Sequence, residues 1–93
     1  MGKNLERLRG IQQALEQVRD HGQVSLSTVQ ELISGALEEI SAAEAGRHHH
    51  QLFLMAEKGL REARAKALGN YTEDAAYVAH AAVTVFLYGK GAL

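Results

Sequence analysis

Ninety-three residues, 46% of them hydrophobic, with ten Lys and Arg against eleven Asp and Glu, allow one small domain. The absence of cysteine excludes disulfides, thiolate metal sites and thiol nucleophiles. A formal net charge of −1 removes the general basic face by which proteins hold nucleic acid.

Proline is also absent, while alanine, leucine, glutamate and glutamine are abundant, which suits helix throughout. Gly22, Gly46, Gly69 and Gly89 fall at nearly even intervals where helical patterns end. Each reads as a helix stop, because glycine takes the left-handed C′ conformation without a Cβ penalty. The expectation is an all-α, compact four-helix bundle-like domain spanning 1–93, with helices at about 4–21, 26–45, 49–68 and 72–88.

In the first helix Leu8, Ile11, Leu15 and Val18 alternate three and four apart and make one apolar stripe, with Leu5 beside it. The second starts near Ser25 or Ser27, and Ser27 followed by Gln30 fits a capping box. Its wide apolar face is Val29, Leu32, Ile33, Ala36, Leu37 and Ile40. From Ser41 to Gln51 no large aliphatic or aromatic residue appears, which predicts a turn around Gly46. The alternative is that helices 2 and 3 are merged or bent near Gly46. In the third helix Phe53, Ala56, Leu60, Ala63 and Ala67 share a stripe, and Leu52, Leu54 and Met55 extend apolar surface beyond it. Gly69-Asn70 ends that helix, Thr72 is the expected cap of the fourth, and Glu73 and Asp74 complement its dipole.

Charge is segregated. Residues 24–46 hold four glutamates and no Lys or Arg, whereas 47–70 hold Arg47, Lys58, Arg61, Arg64 and Lys66 against Glu57 and Glu62. The simplest account is two solvated faces with local pairs such as Glu57–Arg61 and Glu62–Lys66. The sharper one is attraction between helices 2 and 3.

Candidate chemistry is sparse. His48-His49-His50 cannot converge on one metal ion from a helix, since successive side chains point ~100° apart, and no Glu-x-x-His pair of the di-iron type is present. No metal site and no cofactor are expected. The serines have no elbow or neighbouring base, and no Gly-x-Gly-x-x-Gly or Walker pattern occurs. A catalytic role is therefore not expected. The one basic reader available to nucleic acid is helix 3, through Lys58, Arg61, Arg64 and Lys66, and two glutamates interrupt it.

The fourth helix carries the strongest signal. From Ala75 to Gly89 fifteen residues pass with no side chain of fixed charge, too few to cross a bilayer, which takes ~20. On a wheel, Ala75, Ala79, Ala82 and Phe86 gather on one side, and Tyr77, His80, Thr84 and Tyr88 lie opposite. A solvated outer face would carry Lys and Glu. A tyrosine-rich, charge-poor one suits an interface.

The sequence thus predicts a cytoplasmic, non-enzymatic interaction protein, of the adaptor, anti-activator, antitoxin or co-chaperone kind. It would bind a larger protein partner, or a second copy as a dimer, through Tyr77, His80, Thr84, Val85 and Tyr88 with Leu52, Leu54 and Met55. No membrane or nucleic-acid partner is expected. The competing readings are a small-ligand or metal bundle using His80, Tyr77 and Tyr88, and a DNA-binding regulator using helix 3.

Overall fold

The computed structural model describes residues 2–21, 25–43 and 51–92. Four helices form where the apolar periodicity placed them: α1 (Gly2–His21), α2 (Leu26–Ala43), α3 (Gln51–Leu68) and α4 (Thr72–Gly89). Whether α2 and α3 are joined by a turn or a bend falls on residues 44–50, outside the described residues.

Each helix packs on its chain neighbour, and α4 closes the ring against α1, with α2 and α4 meeting only slightly across the diagonal. The α3–α4 contact is the most extensive. Arg7 of α1 reaches Glu39 of α2 at 3.4 Å, and Ile11 lies against Gly35, so α1 and α2 run antiparallel. Gly59 facing Ala82 and Leu52 facing Gly89 make α3 and α4 antiparallel as well. The Cα radius of gyration is 12.2 Å, close to the ~12 Å of a packed chain of this length.

The core is unevenly supplied. α1 gives Leu8, Leu15 and Val18, and α2 gives Val29, Ile33, Ala36 and Ile40. α3 gives only Leu60 of any size, with Ala56, Ala63 and Ala67 beside it. These alanines let α4 come close, and α4 fills the space with Val83, Leu87 and Phe86, the largest fully buried side chain. A Cβ added to Gly59 would stand 2.9 Å from the Ala82 Cβ.

The helix ends differ from the glycine reading at both testable places. α3 stops in a Schellman turn: Tyr71 N–H donates to Lys66 C=O at 2.9 Å and Asn70 N–H to Ala67 C=O at 3.0 Å. The left-handed residue is Asn70, φ 68, rather than Gly69. α4 repeats the motif two residues later than expected, with Gly91 at φ 74 and Ala92 N–H donating to Leu87 C=O at 2.9 Å. Gly89 is the last helical residue, and its missing side chain has another cause: a Cβ there would overlap the Leu52 side chain. Gly22 and Gly46 fall outside the described residues.

Caps are shifted too. Of the two expected starts Ser25 is the one that caps α2, its hydroxyl accepting from Thr28 N–H at 3.3 Å, rather than Ser27 through a box with Gln30. Thr72 is the first residue of α4, not its cap, and Tyr71 before it makes no side-chain cap bond. Glu73 and Asp74 do sit in the first turn. Of the charge pairs, Glu57–Arg61 forms at 3.4 Å on α3. No helix among the described residues is long and apolar enough to cross a membrane.

Candidate functional site: the α3–α4 groove and the α1–α4 seam

α4 lies between α1 and α3, and this splits the stripe read from the wheel. His80 and Thr84 turn toward α1. Tyr77 and Tyr88 turn to solvent together with Val85 and Ala81.

On the α1 side the Gln12 amide lies 3.2 Å from His80 Nε2 and 3.3 Å from Thr84 Oγ1. Arg19 Nη1 stands 3.3 Å from His80 Nδ1, and Glu16 Oε2 is 3.9 Å from Nε2. A neutral imidazole accepts at one nitrogen and donates at the other. The Gln12 amide N–H donates to the Thr84 hydroxyl oxygen. Arg19, which can only donate, makes Nδ1 the accepting nitrogen of His80. The His80 side chain is only 12% exposed and the bonds of its Gln12 neighbour are part-buried, while the Arg19 contact lies at the surface. His80 and Thr84 therefore make hydrogen bonds within their own chain.

The same geometry sets a pH dependence. Burial lowers the His80 pKa first and the Arg19 guanidinium lowers it further, with Glu16 and Asp20 opposing. A histidine held neutral by folding binds its proton more readily in the unfolded chain. Stability is then complete above the ordinary value of 6.5 and falls as pH drops below it toward the lower folded value. Melting temperature measured between neutral and mildly acidic pH should fall, and His80→Gln should flatten that fall. An equal slope in both proteins would show that His80 is not responsible.

On the α3 side an open groove of about 310 Å³ runs between the helices, walled by Met55, Tyr77 and Val85. Gly59, Ala81 and Ala82 form its floor, with Val78 and Ala56 beside them. Among the described residues no charged side chain lines it. The exposure is large for apolar groups: Met55 57%, Tyr77 62%, Val85 50% and Tyr88 68%. Of the other residues expected to bind a partner, Leu54 is exposed on α3 and Leu52 is half-buried against Gly89.

Gly59, Ala81 and Ala82 were missed by sequence reasoning. Small residues read as core on a lone helix, and the one available signal was Ala81 lying four residues from both Tyr77 and Val85.

His80 does not line the groove, so the expected ligand trio with Tyr77 and Tyr88 is not assembled there. Among the described residues no three His, Asp or Glu side chains are grouped to hold a metal ion. The His48–His50 cluster lies outside the described residues. On α3, Lys58, Arg61 and Lys66 are exposed, Arg64 is half-buried, and Arg61 is paired with Glu57. No protein-family model, no curated protein and no solved structure matches this chain.

Proposed function

We propose that this chain is a cytoplasmic, non-enzymatic interaction protein that works by binding a protein through the α3–α4 groove. The observation that carries this reading is the groove itself: an exposed apolar channel with a floor of small residues and walls of Met55, Tyr77 and Val85. Such a channel suits the apolar face of a helix, whose side chains seat at three- and four-residue intervals. Tyr77 and Tyr88 add rigid rings that bury area at little entropic cost and offer a hydroxyl at the rim. Small-ligand sites of similar volume place a few convergent polar groups among apolar walls. Among the described residues the groove lining supplies no charged group for that purpose, which favours a protein occupant.

The test is capture from the native cell with the tagged protein as bait, beside Val85→Asp and Ala81→Glu. Both substitutions put a carboxylate on an exposed wall or floor position. A protein retained by the wild type should be lost from both variants, whose helical circular dichroism stays unchanged. The same protein retained by all three baits would place binding elsewhere.

A further inference from the structure

We infer that the groove is covered by a second copy of this chain, docked with the two α4 helices antiparallel about a twofold axis at Ala81. This rests on the reading that the α3–α4 face binds protein, and it names the occupant.

The first argument is register. The exposed stripe of α4 is Asp74, Tyr77, Ala81, Val85 and Tyr88. Its intervals are three, four, four and three, the same from either end. A twofold interface demands this property, because residue i must meet j while j meets i. Laid antiparallel, Ala81 faces its own copy, Tyr77 faces Val85, and Asp74 faces Tyr88. The alanine at the centre lets the two helices approach. The Tyr77 ring then lies against the aliphatic Val85, and the Tyr88 hydroxyl donates to the Asp74 carboxylate.

Charge selects the direction. α4 carries Glu73 and Asp74 in its first turn and no fixed charge from there to Lys90, whose ammonium lies 5.5 Å over the Phe86 ring. A parallel pair would set four carboxylates together at one end. The antiparallel pair keeps the two acidic ends apart and opposes the two helix dipoles.

Area is the third argument. Met55, Tyr77, Val85 and Tyr88 expose on the order of 400–500 Å² between them, taking ~200 Å² for a whole aromatic residue and somewhat less for an aliphatic one. Doubled over the two copies this is about 800–1,000 Å², the size of a weak, reversible interface.

The absence of cysteine makes the register directly testable. A disulfide forms only between Cα atoms within ~7 Å, so a single new thiol links to its own copy only near the axis. Light scattering of the purified wild type should give twice the chain mass. Ala81→Cys should cross-link under mild oxidation, while Tyr77→Cys and Val85→Cys alone should not and an equal mixture of the two should. Ala81→Glu should return the mass to one chain with helicity unchanged. Single-chain mass for the wild type overturns the second copy as occupant. The capture experiment then decides separately whether the groove binds another protein. A doubled mass that persists in Ala81→Glu, or a doubled mass in which Val85→Cys links to itself and Ala81→Cys does not, overturns the Ala81 axis.

Discussion

Phe86→Ala is expected to remove ~3–5 kcal/mol, the range for losing a buried aromatic side chain. A domain of this kind holds only ~5–15 kcal/mol in total, so the variant should sit near the edge of folding. The cost falls at the high end because the space has little to fill it. Around Phe86 the core of α3 is largely alanine, and α3 already meets α4 at the Gly59–Ala82 approach, so the helices cannot close further. At about 4–8 °C per kcal/mol for a domain this small, thermal melting followed by circular dichroism should shift down by tens of degrees. A shift of a few degrees would mean that the neighbouring side chains rearrange into the cavity.

Gly59→Val should cost about 1–3 kcal/mol, the usual penalty for overpacking. The added Cβ would meet the Ala82 Cβ at 2.9 Å, and a methyl fixed to the backbone cannot swing away. α3 must then move off α4, which deforms the groove floor. The cause can be isolated by a swap. Gly59→Ala alone meets the clash, and Ala82→Gly alone loses ~1 kcal/mol of helix propensity. The double variant carries the methyl on the opposite helix and keeps the same number of helical glycines. It should therefore recover toward wild-type stability, with a coupling of ~0.5–3 kcal/mol in the urea-unfolding cycle. Additive losses would show that the approach of Gly59 to Ala82 is not the limiting contact.

How much was legible in the sequence follows from what is local. The four helices, their limits and most core positions depend on periodicity within a segment, so Leu8, Leu15, Ile33, Leu60 and Phe86 are where the stripes put them. The stops are local as well, but two adjacent residues competed for the same role. Asn70 adopts the left-handed conformation that Gly69 was expected to take, while Gly89 answers to a distant side chain, Leu52. The outward face of α4 was the hardest to read. A wheel drawn on one helix orders its residues but does not say on which sides its neighbours stand. α1 brings Gln12 and Arg19 against His80 and Thr84, converting half of the expected partner stripe into internal hydrogen bonds. The face left open rotates onto Ala81, a residue whose size and polarity distinguish it from a core alanine in no way.

The hydrogen bonds of Gln12 also index α1 along α4. Sliding α1 by one turn would carry the Gln12 amide ~5.4 Å along the axis, out of reach of both His80 and Thr84. The aliphatic side chains of α1 discriminate less sharply, since Leu8 and Leu15 recur two turns apart and a shifted stripe still meets apolar surface. Two part-buried hydrogen bonds, each worth ~0.5–1.5 kcal/mol net, favour the observed alignment over its one-turn neighbours by roughly five- to a hundredfold. The polar pair at the seam thus contributes uniqueness where hydrophobic burial by itself would allow several nearly equivalent assemblies.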